Sequence, residues 1–531
     1  MHGRVKVRTT EEEKLRKEKE RQEKLKVFKN VMQTIHHKRQ QHEYDKELLE
    51  LTGKVLASNP DIYTLWNIRR EILEQIRKNN CDEEQLSKLF NDELNVTEYC
   101  LKINPKSYCA WHQREWVLTT RSDPDWKKEL DLCNKYLKLD ERNFHTWDYR
   151  RFVVSQCKPP LQDEFDFTTE KLLDNFSNYS AWHYRSKMLL QLYPDVEGGR
   201  PIQDKHHKHE LKLVQNAAFT DPDDTSAWFY QRWLLGAVKT VTSLVVCTVT
   251  QIKTTVAFSK QVSHNYVQSK TRLFFDNVAI NGDWISCNGN DHDCLWILKH
   301  NVTINDDIDV KVEYKDEYEE SHVIKCLKYK PFTYIGKSDI CFQNKYSQPV
   351  IEELNEQLEA CRQLLLLEPD NKWTLLTTTV FLHCINAKLY HKEAMVNLQI
   401  LKNLDEQRAG YYNDLISKWN IENQLPLDYE HKNLVFRPTF SDKLTSLPHL
   451  QYYNFCEIID LSDQYLSSNI LPSLKYLQHC KILILRNNKL HTLKGFPNIE
   501  LEKLDIQGNE DISAEELENF TKNHNFIIMF N

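Results

Sequence analysis

One phrase, written five times in the first half of the chain, limits what the rest can fold into. It reads NPDIYTLWNIRR around Trp66, NPKSYCAWHQRE around Trp111, DERNFHTWDYRR around Trp147, NFSNYSAWHYRS around Trp182 and DPDDTSAWFYQR around Trp228. The tryptophans are spaced by 45, 36, 35 and 46 residues. Seven residues before each stands Asn or Asp, namely Asn59, Asn104, Asp140, Asn175 and Asp221. Three before stands Tyr63, Tyr108, Phe144 or Tyr179, with Thr225 in the fifth copy. Three after stands Arg69, Arg114, Arg150 or Arg185, with Gln231 and then Arg232 in the last. A unit of this length, repeated, predicts stacked helical hairpins that bury a face only against their neighbours.

The physics of one unit is readable. Leu130, Leu132, Cys133, Tyr136, Leu137 and Leu139 form one apolar stripe of a helix that ends at Asp140. In three units Asn-Pro or Asp-Pro stops that helix, because the residue before proline is biased away from the α region. Thr146, Ser180 and Ser226 are the expected caps of the helix that follows. Trp and the Arg three residues on share a helix face. Trp is expected to fill the groove between hairpins, and Arg to pair with a carboxylate of the neighbouring unit.

At 531 residues the chain exceeds one domain. Residues 1–45 read as a short basic arm and a charged helix, EEEKLRKEKERQEKLK, with His2 near its start. The hairpins occupy 46–238 and resume over 346–422, where a shortened phrase at Trp373 lacks its arginine. The polar run DVEGGRPIQDKHHKH, with His206, His207 and His209, reads as a loop between units four and five. Residues 239–345 change style. TVTSLVVCTVTQIKTTVAFSK is β-branched and alternating, and DCLWILKH, DDIDVKVEY and HVIKCLKY continue it, which predicts an inserted antiparallel β-sandwich of immunoglobulin or C2 type. Residues 432–531 carry Leu483-Ile484-Leu485-Arg486-Asn487-Asn488-Lys489-Leu490, a leucine-rich repeat pattern. Leu461, Leu485 and Ile506 recur at intervals of 24 and 21, so three to four coils are expected, each Asn satisfying backbone of the next coil. The fold class is therefore multidomain and mainly α: a tetratricopeptide-like solenoid with an inserted sandwich and a leucine-rich C-terminal stack. Only eleven glycines fit that reading, against an average near 7%.

Seventy basic against 77 acidic residues give no field that would favour nucleic acid. No run of eighteen apolar residues occurs, so no membrane span is expected, and the opening MHGRVKVRTTEEE has no signal-like apolar segment. Fourteen cysteines lie mostly within apolar patterns, without CxxC or zinc-ligand spacing. They read as reduced thiols of a cytoplasmic protein, with no metal site in this chain.

The W-x-x-R phrase on five hairpins resembles the alpha subunits of protein prenyltransferases. The added sandwich and leucine-rich stack, and the opening MHGR before a charged helix, resemble the animal Rab geranylgeranyltransferase branch of that family. The resemblance implies a heterodimer whose beta subunit holds the catalytic zinc and the isoprenoid pocket. Geranylgeranyl diphosphate is then the co-substrate, and the acceptors are C-terminal cysteines of Rab GTPases brought by an escort protein. It implies a catalytic Lys106, from the N-P-K-x-Y of the second unit, aimed at the diphosphate. Tyr108, Arg142 and His145 are implied as substrate-binding. Farnesyltransferase alpha subunits tend to carry Lys and Tyr where Arg142 and Phe144 stand, and Phe144 cannot donate a hydrogen bond. His2 is a candidate mobile ligand for the partner's zinc. Two other readings compete: a farnesyltransferase or type I alpha subunit, against which the two extra modules count, and a scaffold without enzymatic role, in which Lys106 is an idle surface charge.

Overall fold

The computed structural model describes residues 11–79, 82–196, 200–238, 241–287, 289–300, 308–340, 342, 346–430 and 434–530. His2 lies outside the described residues. Two compact units divide the chain, Met1–Leu192 and Tyr193–Asn531.

The first unit opens with α1 (Glu11–Gln40), a long helix whose N-terminal half is exposed. Four hairpins follow: α2 (Lys46–Ser58) with α3 (Tyr63–Lys78), α4 (Glu83–Ile103) with α5 (Tyr108–Thr120), α6 (Trp126–Leu139) with α7 (Phe144–Cys157), and α8 (Leu161–Asp174) with α9 (Tyr179–Leu192). The repeated phrase builds each turn. Asn59, Asn104, Asp140 and Asn175 each accept, through side-chain Oδ1, the backbone N–H two residues on, which closes an Asx turn. Each Trp indole N–H then donates to the carbonyl six residues earlier: Trp66 to Pro60, Trp111 to Pro105, Trp147 to Glu141 and Trp182 to Phe176, all at 2.8–3.0 Å. The ring fills the groove while its one polar atom satisfies the turn.

The arginines join hairpin to hairpin. Arg69 donates to Glu93, Arg114 to Glu129 and Arg150 to Glu164, each carboxylate lying on the first helix of the next hairpin. Arg69 also reaches back to Thr52, and Arg114 to Thr97, on the first helix of their own hairpins. The residue two after the next Trp completes the carboxylate's shell: Gln113 donates to Glu93 at 2.9 Å and the Tyr149 hydroxyl to Glu129 at 2.7 Å. These ions are buried, paired and hydrogen-bonded, as burial of charge requires.

The expected caps are displaced. Thr146 and Ser180 sit inside α7 and α9; the caps stand four residues before each Trp, where Ser107, Asn143 and Asn178 accept backbone N–H groups of the first helical turn. A residue already in the helix cannot serve as its N-cap.

The second unit continues with α10 (Asp204–Thr220) and α11 (Thr225–Gly236). Ser226 again lies within the helix, and Asp224 caps α11. The histidine run expected as a loop is the start of α10. His207 is buried and its Nε2 lies 3.1 Å from the Leu234 carbonyl oxygen, because His207, Leu211 and Val214 form one buried helical stripe.

Nine antiparallel strands follow, interrupted by a short helix: β1 (Leu244–Val249), β2 (Lys253–Ser263), α12 (His264–Lys270), β3 (Thr271–Phe275), β4 (Val278–Ile280), β5 (Trp284–Ser286), β6 (His292–Lys299), β7 (Val310–Lys315), β8 (Ser321–Lys330) and β9 (Thr333–Lys337). Their order is β4-β3-β7-β8-β9-β1-β2-β6-β5. Strand β8 serves both halves: Ser321–Cys326 pair with β7, and Leu327–Lys330 run along β9. Phe258, Trp296 and Val249 from one half and Leu273, Val312 and Ile324 from the other share one core, so the sheet is folded over itself.

Helices resume as α13 (Gln348–Leu367), α14 (Lys372–Asn386), α15 (His391–Leu404) and α16 (Ala409–Glu430). A five-stranded parallel sheet ends the chain: β10 (Val435–Phe436), β11 (Ile458–Asp460), β12 (Ile482–Ile484), β13 (Lys503–Asp505), then α17 (Ala514–Asn523) and β14 (Ile527–Met529). Successive strands present Phe436, Ile459, Leu483 and Leu504 inward. Asn488 donates to the carbonyls of Leu461 and Leu485 and accepts from Leu466 N–H; Asn509 does the same one coil later, with Leu485, Ile506 and Leu490. Each Asn thus serves its own coil and the preceding one, not the next. The folded sheet and the parallel sheet share a core in which Val245, Ala257 and Leu295 meet Phe455, Leu434 and, from α16, Ile421.

Candidate functional site

Lys106 stands on the turn between α4 and α5, and that turn is pinned from both sides. Asn104 Oδ1 accepts the Lys106 N–H at 3.1 Å, and Asn104 Nδ2 donates to Asp61 of the preceding turn at 3.0 Å. From the following turn, Asn143 Nδ2 donates to the Pro105 carbonyl at 3.1 Å, beside the Trp111 indole bond to the same oxygen. The backbone under Lys106 is therefore fixed, while its side chain is 63% exposed. Its ammonium lies 3.9 Å from Asp140 Oδ2, and Asp140 Oδ1 accepts the Arg142 N–H at 3.2 Å. Arg142 is exposed on the same turn. Lys106 thus pairs loosely with Asp140 at an open surface, with Arg142 two residues further along the same turn as Asp140.

Tyr108 and His145 come together one step away. The Tyr108 ring meets the His145 ring edge-on with centroids 4.2 Å apart, Phe144 stacks on His145 at 4.0 Å, and the Tyr108 and Phe144 rings lie 6.2 Å apart. Burial pushes the His145 pKa below its ordinary value; Asp148 pulls the other way and Lys106 adds to the depression. The imidazole is neutral at pH 7 and able to present one N–H and one lone pair. Tyr108, His112, Glu115, His145, Asp148 and Phe152 line a cleft of about 420 Å³. Lys106 and Arg142 thus stand on two neighbouring turns, and Tyr108 and His145 on the first turns of the helices that follow; only Tyr108 and His145 of the four line the cleft.

Asp140, His112, Glu115 and Asp148 are the residues that sequence reasoning missed as parts of the site. His112 and Asp148 each follow a repeat Trp directly, so the repeat register carried a signal for them. The same register leaves Tyr63, Tyr108, Phe144 and Tyr179 exposed on four successive hairpins. Of these rings, Tyr108 and Phe144 meet, with centroids 6.2 Å apart.

The buried cysteines carry no visible reactivity. Burial pushes the thiols of Cys133 and Cys361 up to about 12 and that of Cys100 to about 11, so they stay protonated. Among the described residues, one group has metal-ligand composition, Asp316, Glu320 and His322. Its central carboxylate is already used: Asp316 accepts the N–H groups of Tyr318 and Glu320 in the β7–β8 turn and bonds Nε2 of His322, at the start of β8, at 3.0 Å.

Comparison with known proteins decides the family. The protein prenyltransferase alpha subunit repeat matches residues 45–76, 90–121, 126–157, 161–192 and 207–238. The geranylgeranyl transferase type-2 subunit alpha of Bos taurus is 38% identical over 511 residues, covering 94% of this chain and 89% of that protein. That of Homo sapiens matches with the same figures, 38% over 511 residues, 94% and 89%. This chain belongs to the geranylgeranyl transferase type-2 alpha-subunit family. The family relative of Saccharomyces cerevisiae is 29% identical over 339 residues, which is 96% of its own length but 62% of this chain. A solved structure, Candida albicans protein geranylgeranyltransferase-I complexed with GGPP, overlaps with a TM-score of 0.42 at 16% identity, over 74% of this chain and 91% of that one, too slight an overlap to bear on function. Membership of this family does not favour the farnesyltransferase, type I or scaffold readings. No described helix is long and apolar enough to cross a membrane.

Proposed function

We propose that this chain is the alpha subunit of a cytoplasmic heterodimer that transfers geranylgeranyl from geranylgeranyl diphosphate to C-terminal cysteine thiols of Rab GTPases presented by an escort protein. The partner is a prenyltransferase beta subunit. It would hold the zinc, whose chemistry is to keep the acceptor thiol ionised at neutral pH. The acceptor sulfur bonds to C1 of the isoprenoid, the C1–O bond breaks, and diphosphate leaves carrying the electron pair. The share of this chain is charge: the Lys106 ammonium, held on a doubly pinned turn, faces the oxygens on which negative charge grows. Arg142 adds a second cation, while Tyr108 and neutral His145 offer a hydrogen-bonding wall. The single observation that carries this reading is the rigid backbone beneath an exposed Lys106, near exposed repeat aromatics that a partner would cover.

Within this reading, residues 1–45 form an arm and charged helix, 46–238 with 346–422 form the alpha-subunit domain, 239–345 an inserted immunoglobulin- or C2-like sandwich, and 432–531 a leucine-rich repeat stack. Co-expression with a type-2 beta subunit tests the assembly. A stoichiometric pair is expected on gel filtration, and its yield should fall when Tyr108 and Tyr179 are both changed to Asp. A chain that stays alone under co-expression contradicts the proposal.

A further inference from the structure

The fifth repeat departs from the others at its joint. Gln231 stands where Arg69, Arg114, Arg150 and Arg185 stand, and it takes over the inter-hairpin bond: its Nε2 donates to Gln357 Oε1 at 2.9 Å, and Gln357 Nε2 donates to Glu353 Oε1 at 3.0 Å. The arginine is displaced one position, to Arg232. One residue is about 100° of rotation on a helix, so Arg232 is released from the joint and points elsewhere.

It lies against rings. The Arg232 guanidinium carbon is 5.1 Å from the Phe229 ring centroid and 5.3 Å from that of Trp373. Its Nε and Nη2 are shielded from solvent and have no hydrogen-bond partner. Two more cations converge on the same indole: the Arg408 guanidinium at 4.7 Å and the Lys372 ammonium at 5.8 Å. Asp405 lies among them, and it is already engaged. It accepts from Arg408 Nη1 at 2.6 Å, from the Tyr412 hydroxyl at 3.0 Å and from Lys372 Nζ at 3.3 Å. Burial lowers the Arg232 pKa from its ordinary value, and Arg408 adds to this against the opposing pull of Tyr411 and Tyr412. Phe229 and Tyr411 are both exposed at the rim.

A buried donor without an acceptor is costly, and more so when it is charged. Three cations around one saturated carboxylate add repulsion to that cost. Both are relieved by a second anion, and a guanidinium fork selects planar or tetrahedral oxyanions that it grips with two N–H groups. We propose that the recess of Arg232, Arg408 and Lys372 around Trp373 is a binding site for an oxyanion, a carboxylate or a phosphate. Arg232 supplies the two unused donors, and Phe229 and Trp373 exclude water from them.

Calorimetric titration of the full chain with inorganic phosphate and with acetate, at constant ionic strength, tests this. Saturable binding of one of them is expected, weakened at least tenfold by Arg232→Gln. Phosphate preferred over acetate marks a phosphoryl ligand; acetate preferred marks an acidic side chain of a partner. If Arg232→Gln lacks the wild-type circular dichroism spectrum, Arg408→Gln is read instead, with the same loss expected. Absence of saturable binding by the wild type, or affinity that survives Arg232→Gln (or Arg408→Gln where that is read), overturns the proposal.

Discussion

The first four hairpins and the C-terminal parallel coils are both repeat arrays, yet they are joined by opposite chemistry. Hairpin is tied to hairpin by buried ions, Arg69 with Glu93, Arg114 with Glu129 and Arg150 with Glu164. Coil is tied to coil by neutral amides, Asn488 and Asn509, bonded to backbone. A neutral amide leaves modest debts when removed. A buried ion leaves its partner charged in a medium that cannot solvate it, so the charged joint is exacting about both members. That accounts for the invariance of the arginine across the first four copies of the phrase and for the need of a substitute network at Gln231, where it is absent.

Stability measurements separate the two kinds of joint. Arg114→Ala should have the largest effect, a loss of about 3–5 kcal/mol from stranding Glu129, read as a shift in the denaturant midpoint of the full chain. Asn488→Ala should cost less, about 1–3 kcal/mol, for the backbone groups of Leu461, Leu466 and Leu485 left without a partner. Equal losses from the two variants would erase the distinction.

Acid should weaken the second unit through a histidine at the seam of its two sheets. His479 of the stack bonds Thr255 Oγ1 of β2 at 2.9 Å, and burial, with Lys253 and Lys330 adding to it, pushes its pKa down to about 3. The unfolded chain takes up a proton near pH 6.5 and the folded chain does not. This contribution is therefore complete above that pH and is lost as pH falls from 6.5 towards 3, at up to about 1.4 kcal/mol per pH unit. His383, pushed down to about 4, acts in the same direction. Melting temperatures at pH 7 and pH 5 should show the drop, and His479→Gln should reduce it. The smallest effect is expected when both charges of a joint go together. Arg114→Met with Glu129→Leu should recover most of the loss of Arg114→Ala, short by about 1 kcal/mol for the Tyr149 hydroxyl that then lacks its acceptor. A double variant as unstable as the single one would show that the joint depends on shape and not on charge.

The hairpins were legible because one phrase encodes a turn, a groove-filling ring and a joint within twelve residues. The caps were misread since Thr146 and Ser180 have capping chemistry but sit past the helix start, where Asn143 and Asn178 act first. The helix at His206, His207 and His209 was hidden because a histidine occupies a core position of its stripe. The double pairing of β8 is a matter of register, which alternation alone does not carry. In the site, Lys106 and Tyr108 were visible as a motif. Asp140, His112 and Asp148 join them only when hairpins stack, a placement that belongs to tertiary structure.

The central claim is that this chain lends positive charge to a departing diphosphate held by its partner. Single-turnover geranylgeranyl transfer by the co-purified heterodimer, wild type against Lys106→Ala, tests it most directly. The rate of the chemical step should fall about 10²–10³-fold, the range for removing one donor that meets charge developing in the transition state, with the heterodimer still intact. An intact heterodimer that turns over at the wild-type rate without Lys106 would contradict the account.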